Sequence, residues 1–295
     1  MKFRFIREHA AQYPIVTMTR VLGVSSNGYY MWCRRPPSRR EIENKVIDGK
    51  IISTFKAHKG RCGALKLHRE LVDKNEATCG PKKVATRMKV LDLVARKPKK
   101  FVATTDGKHE LPISPNLLNR EFVVTEPNRR WVGDITYIPT KVGWVYLAVV
   151  IDLYSRKVVG WAISTRIDAA LVIAAFLKAC WLRRPGPGLL FHSDRGSQYA
   201  STAFRTVLAA WHCTQSMSRK GNCWDNAVAE SFFKTLKVEW LYMLSFVLED
   251  KTHAEREIFD YIEVYFHRKR LHESLGYLTP EQFEAVTPIW RSQCS

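Results

Sequence analysis

The sequence predicts an α/β protein in which a mixed five-stranded sheet flanked by helices follows an all-helical region. Two observations carry this expectation. Basic side chains crowd the front of the chain, with 28 Lys and Arg against 12 Asp and Glu in residues 1–130, whereas residues 131–295 hold 19 and 16. Strand-like alternation starts only at Trp131 and then interleaves with helical periodicity. At 46% hydrophobic and 25% charged over 295 residues, the composition is that of a globular protein and excludes a disordered or collagen-like chain. The net excess of +19 makes a polyanion the first partner to consider.

Met18 to Trp32 reads as a short helix ending near Gly23, a tight turn through Val24, Ser25 and Ser26, and a second helix carrying Tyr29, Tyr30 and Trp32. This is helix-turn-helix spacing. The run Arg34 to Arg40 contains Pro36 and Pro37, so it reads as a charged connector. Leu65, Leu67 and Leu71 mark a helix over 64–74, and Pro81 opens another, over about 81–92, at the position where a missing N–H costs nothing. That helix carries Lys82, Lys83, Arg87 and Lys89, with Arg96, Lys97, Lys99 and Lys100 beyond it. Such a row gains counterion-release free energy on a phosphate backbone; its bland alternative is a solvated face. Residues 101–130 hold four basic and four acidic side chains and prolines at 112, 115 and 127, the pattern of a linker.

From Trp131 the chain reads as strands 131–138, 143–151 and 157–163, then a helix over 168–181 with Asp168 at its N-cap. A short buried strand at 189–192, a helix at 199–210, a strand at 213–217 and a helix at 225–239 follow. In the last, Val228, Phe232 and Leu236 face a core with Ala229 and Phe233 at the flank, while Glu230, Lys234 and Lys237 fall on an outward stripe.

Three acids stand out. Asp134 lies in a β-prone strand, Asp194 directly follows another, and Glu230 sits on the late helix. An isolated carboxylate in a strand core is costly unless it is paired or metal-bound. Clustered carboxylates with open positions suit Mg²⁺ or Mn²⁺, and two such ions can drive an in-line phosphoryl displacement.

Thirty-five residues separate Asp194 from Glu230, and Asp134 lies 60 before Asp194. Here the sequence resembles the DDE transposases and retroviral-type integrases. The flanking motifs narrow this: Trp131-x-x-Asp134-Ile-Thr-Tyr137, Asp152-Leu-Tyr-Ser155-Arg156, His192-Ser-Asp194-Arg-Gly-Ser-Gln-Tyr199, Asp225-Asn226-x-x-x-Glu230 and His267-Arg268-x-x-x-x-x-Ser274-Leu-Gly-Tyr277. With Gly23-Val24-Ser25-x-x-Gly28-Tyr29-Tyr30 near the start, they resemble the second-reading-frame product of bacterial insertion sequences of the IS3 family over essentially the whole chain. The resemblance implies a ribonuclease-H-like fold and two Mg²⁺ or Mn²⁺ ions held by Asp134, Asp194 and Glu230. It also implies that Lys237 contacts donor DNA, and that 3′-end nicking is followed by joining to a DNA target. The implied partners are double-stranded DNA, further copies of the chain in a homo-oligomer on DNA, and the upstream reading-frame product as fusion or partner.

Other marked residues read more plainly. Asp152 suits local capping and His192 a satisfied histidine beside a sheet. Arg195, beside Asp194, either positions DNA or orients the carboxylate. Asn226 braces the late helix. His267 and Arg268, with Lys269, Arg270 and His272, form either a solvated basic face or a DNA contact, with Lys234 a further candidate contact. Thr279 to Gln282 fits a capping box.

The expected organisation is a basic DNA-binding region at 1–100, a linker at 101–130, a catalytic core at 131–245 and a helical extension at 246–295. The seven cysteines are dispersed with no C-x-x-C pair, and no apolar run is long enough to span a bilayer, so the chain reads as cytoplasmic and DNA-associated, without a membrane partner. A DNA-binding regulator without catalysis and a metal-dependent nuclease are the competing functions.

Overall fold

A computed structural model describes residues 1–76, 78–95, 110–244 and 246–286. The expected basic run Arg96, Lys97, Lys99 and Lys100 and the first part of the expected linker lie outside them. The helices of the front half are α1 (Lys2–Glu8), α2 (Ile15–Val21), α3 (Ser26–Arg34), α4 (Arg39–Ala57), α5 (Ala64–Asp73) and α6 (Pro81–Val90). They form two small cores, one around Ile6, Met18 and Tyr29, the other around Ile47, Ile51, Leu67, Leu71, Val84 and Met88.

Two of these helices were not expected. The connector is shorter than the double proline suggested, because Ser38 and Glu41 form a reciprocal capping box that starts α4 at Arg39. In α1 only Ile6 is buried, so the helix has too little apolar periodicity to be read from the sequence.

The sheet comprises β1 (Arg130–Thr140), β2 (Gly143–Asp152), β3 (Val158–Ser164), β4 (Leu190–Ser193) and β5 (Thr214–Met217) in the order β3-β2-β1-β4-β5. β1, β2 and β3 pair antiparallel, and β4 joins β1 and β5 in parallel. This is the expected mixed sheet. α7 (Ala169–Arg183), α8 (Ser197–Ala200) and α9 (Thr202–Ala210) cover one face. The expected single helix over 199–210 is split at Ser201, whose side chain caps α9. Gly160 of β3 permits the close approach of α7, since a Cβ there would lie 2.3 Å from the Ala175 carbonyl oxygen.

The opposite face packs against α10 (Ala227–Glu239), entered through a 3₁₀ turn at Cys223–Asn226, and α11 (Lys251–Phe259), which continues as a π-helical segment over Asp260–Phe266. α12 (Pro280–Val286) follows, started by the expected Thr279–Gln282 box.

The part of the expected linker that is described, residues 110–129, is no loose tether. Leu118 is fully buried in the core beneath α10, and Leu117 and Leu118 donate their N–H groups to Ser216 Oγ.

The α4–α6 unit touches the far end of α10. Arg61 lies over the Tyr265 ring at 4.4 Å, and Lys66 approaches Glu239 at 3.8 Å. Glu239 also accepts from Arg270 and Tyr261.

Candidate active site

The pairing of β1 with β4 sets the site. In that parallel ladder Val132 stands opposite His192. Asp134 lies two residues further along, inside β1, and Asp194 is the first residue after β4, so the ladder brings both acids to the region beyond the carboxyl end of β4. Carboxyl ends of parallel strands are where open α/β sheets place their ligands.

α10 supplies the third acid. Asn226, buried at its start, donates from Nδ2 to the Gly133 carbonyl at 3.2 Å. This ties the helix to the strand residue before Asp134, with Glu230 one helical turn along and exposed.

The electrostatics follow from this proximity. Burial, the negative charge of Asp194 and that of Glu230 hold the Asp134 carboxyl well above the usual carboxylate range; the Ile135 N–H and Lys237 oppose this without reversing it. Partial burial and Asp194 likewise raise Glu230. Asp194 accepts from the Gly196 N–H at 2.9 Å. Among the described residues no three His, Cys, Asp or Glu side chains form a ready-made metal cage. The acids are instead an open set of hard oxygens that repel one another, a donor chemistry that fits a divalent cation drawing them together.

Around the acids the frame is rigid. His192 is fully buried between Ser216 Oγ and Ser218 Oγ at 2.8 and 3.2 Å, and burial pushes its pKa down to about 4, so it is neutral and structural. Asp152 is buried, accepts from the Asn128 and Tyr154 N–H groups and pairs with Arg183, the expected capping role. Asp225, which carried no separate role in the sequence reading, accepts from Arg219, Arg120 and Asn116. The Arg219 hydrogen bond holds its carboxyl far below the usual range despite burial. It anchors the loop ahead of α10. The signal was its place beside Asn226, four residues before Glu230.

Residues 124–223 and 212–280 match the integrase core domain family, and residues 41–101 match the HTH-like domain family. The chain is 41% identical over 286 residues to the transposase InsF for insertion sequence IS3A of Escherichia coli (strain K12), covering 96% of this chain and 98% of that protein. It belongs to the IS3 family of insertion-sequence transposases. A second relative, the transposase for insertion sequence element IS904 of Lactococcus lactis subsp. lactis (strain IL1403), is 43% identical over 85% of this chain and 98% of its own length. Among solved structures, the simian T-cell lymphotropic virus intasome in complex with PP2A regulatory subunit B56 gamma aligns with TM-score 0.47 at 18% identity, over 81% of this chain and 75% of that one. The HTLV-2 integrase catalytic core domain in complex with magnesium aligns with TM-score 0.40 at 20% identity, over 53% of this chain and 96% of that one.

In this IS3-family chain the expected DNA-facing residues divide. Lys82 and Lys234 are exposed, and Lys83 is partly so. Arg268 is exposed but pairs with Glu281 at 3.4 Å. Arg87 is not displayed to solvent as expected: it forms a two-pronged bond to Asp48 at 2.7 and 2.6 Å, because the helix turns it toward α4. His267 is buried, accepting from the Val158 N–H and bonded to Glu263, so it holds α11's extension to β3 rather than forming part of a basic face. Lys237 departs from its expected outward stripe. It is 7% exposed, and its Nζ lies 4.6 Å from the Tyr137 ring centroid, because β1 runs alongside that turn of α10. Arg195 donates from Nε to the Ser218 carbonyl at 2.7 Å, bracing the loop that carries Asp194.

Proposed function

We propose that this chain catalyses divalent-metal-dependent nicking of DNA 3′ ends and their joining to a second DNA, with Asp134, Asp194 and Glu230 as the metal-holding catalytic acids. The single observation that carries the reading is the parallel register of β1 with β4, whose last pair, Val132 and His192, lies two residues before Asp134 and Asp194, with the helix bearing Glu230 tied to β1.

The chain's own residues supply position and charge. β1 carries one carboxylate, the end of β4 a second, and the Asn226 and Asp225 anchors hold the helix of the third, so little reorganisation remains once DNA is seated. Lys237 places a cation beside Asp134 and against Tyr137, where it can meet a DNA phosphate. Lys234 offers a second, exposed cation on α10. Bound Mg²⁺ or Mn²⁺ would activate the attacking oxygen and stabilise the leaving one. In nicking, a water oxygen bonds to phosphorus and the bond to the 3′ oxygen breaks, leaving a free hydroxyl. In joining, that hydroxyl attacks a target phosphodiester and displaces one strand's oxygen, so no energy-rich cofactor is consumed.

The relatives named as insertion-sequence transposases support double-stranded DNA as partner, and with it assembly of several copies on DNA ends and a cytoplasmic site of action. The proposed organisation keeps a DNA-binding region at 1–100, the catalytic core at 131–245 and a helical extension from 246, and fusion to the upstream frame belongs to the same reading. Among the described residues no helix is long and apolar enough to cross a membrane.

The test incubates the purified chain with an end-labelled duplex from the gene's flanking repeat, with Mg²⁺, Mn²⁺ or chelator. Nicked and joined products that require the ion support the proposal. Hydrolysis without joining makes the protein a nuclease, and metal-independent binding without cleavage makes it a regulator.

A further inference from the structure

The HTH-like family match begins at residue 41, and its unit meets Glu239 of the catalytic core through Lys66 and Tyr265 of the helical extension through Arg61. Ahead of it stands a separate three-helix unit, α1–α3, outside the residues that the family models match. Its turn has the form of a DNA-reading pair of helices. α2 ends at Val21, Gly23 with a φ of +62° carries the chain through the left-handed region, and the Val24 N–H returns to the Thr19 carbonyl. Ser25 caps α3 by accepting from the Gly28 N–H, and the Thr19 and Ser26 hydroxyls bond across the two helices at 2.9 Å. Tyr29 and Trp32 face inward with Phe3, Ile6 and Met18.

The opposite face of α3 is turned to solvent, with Tyr30 edge-on to Tyr29 at 5.4 Å. Asn27, Tyr30, Met31 and Arg34 are all exposed, and their i, i+3, i+4, i+7 spacing puts them on one stripe. Met31 is 64% and Tyr30 47% exposed, which would be wasteful on a purely solvated helix. Arg34 pairs with no carboxylate among the described residues. The stripe is about 10 Å long, the rise of roughly three base pairs. Residues 1–40 hold eight Lys and Arg against one Glu.

We propose that α3 is a base-reading helix that enters the major groove of double-stranded DNA, with Asn27, Tyr30, Met31 and Arg34 as its specificity-determining side chains. Asn presents the donor and acceptor that match an adenine edge, Arg the fork that matches guanine, and Tyr and Met the apolar surface that meets a thymine methyl. Arg20 on α2 and Arg35 and Arg40 after α3 are exposed and available to the DNA backbone. The chain then contacts DNA through two helical units, one reading sequence and one anchored to the catalytic core. This inference does not depend on strand cleavage.

The test uses the full chain without divalent ions and a random 30-base-pair duplex pool, followed by sequencing of the bound fraction. The wild type is expected to enrich a short motif. Asn27→Ala and Arg34→Ala should each erase preference at one position, by about 10-fold or more, while binding to the unselected pool changes far less. Arg34→Lys keeps the charge and the salt dependence but should also lose its position, which a phosphate contact would not. Lys82→Ala on α6 should weaken all sequences evenly. Because these side chains are exposed, unaltered thermal unfolding will confirm intact folds. The proposal is overturned if the wild type enriches no motif, if the α3 variants enrich the wild-type motif, or if they change only the oligomeric mass, which would make the stripe a protein-facing surface.

Discussion

The Asn226 side chain donates to the Gly133 carbonyl, so the residue that opens α10 is bonded to the strand residue immediately before Asp134. The distance between Glu230 and Asp134 is therefore set by one bond from a side chain to a backbone carbonyl. Misplacement of about 1 Å at a catalytic group can cost ~100-fold in rate. Asn226→Ala should accordingly slow single-turnover nicking by ~10- to 100-fold while leaving DNA affinity within about two-fold. Equal losses of rate and affinity would assign Asn226 to DNA contact.

Asp134 should be a source of instability in the metal-free protein. Its carboxyl is held above its unfolded value of about 3.9, so between those values the native state binds protons that the unfolded chain has released. Stability then falls as pH rises through that window and stays lower at neutral pH. Asp134→Asn should melt at a higher temperature than the wild type at pH 7, with the difference closing near pH 3. Mg²⁺ should raise the wild-type Tm and not that of the variant. Thermal unfolding by circular dichroism over this pH range decides it.

His58 and Glu70 instead stabilise each other in the α4–α6 unit. Burial opposes the charged imidazole, but the Cys62 thiol and the Glu70 carboxylate, bonded at 2.5 Å, lift it to about 9. Burial likewise opposes Glu70, which His58 and Lys74 lower to about 2. The histidine's contribution is whole below about 6.5 and disappears as pH rises through about 9; the glutamate's is whole above about 4.5 and disappears as pH falls through about 2. Wild-type stability should decline between pH 6.5 and 9, and His58→Gln should flatten that slope in urea titrations.

Arg183 and Glu284 join α7 to α12 through two hydrogen bonds, 2.7 and 3.1 Å long, with Ser155 and Lys157 on the same carboxylate. Removing one partner of a buried pair leaves the other uncompensated, at about 3–5 kcal/mol. Because Arg183 keeps Asp152 as a partner, Glu284→Ala should cost less than that, about 1–3 kcal/mol, with m unchanged, and no measurable loss would mean that solvent replaces the Glu284 carboxylate.

Regular periodicity made the sheet legible. β2 and β3 alternate or run apolar, and α7 is bounded by Asp168 and the Pro185–Gly188 stretch, so sequence and structure agree there. The candidate acids were legible for a different reason: Asp134 inside a β-prone strand conflicts with local propensity, and its spacing to Asp194 and Glu230 is a pattern. What stayed hidden depended on long-range packing. Helical spacing puts Lys237 outward, but only the path of β1 reveals that Tyr137 covers it. His267 stands among four basic neighbours, and the sequence contains no sign that the Val158 N–H would need an acceptor there. Asp48, 39 residues before Arg87, claims its guanidinium in the same way. The Ser38–Glu41 box was a readable signal for α4, obscured by the prolines before it.

The most direct test of the account is strand transfer by Asp134→Asn, Asp194→Asn and Glu230→Gln, each assayed on the element's own terminal duplex in Mg²⁺. The account predicts that all three fold, bind DNA as the wild type does, and neither nick nor join above background. Wild-type rates in any one folded variant would contradict it.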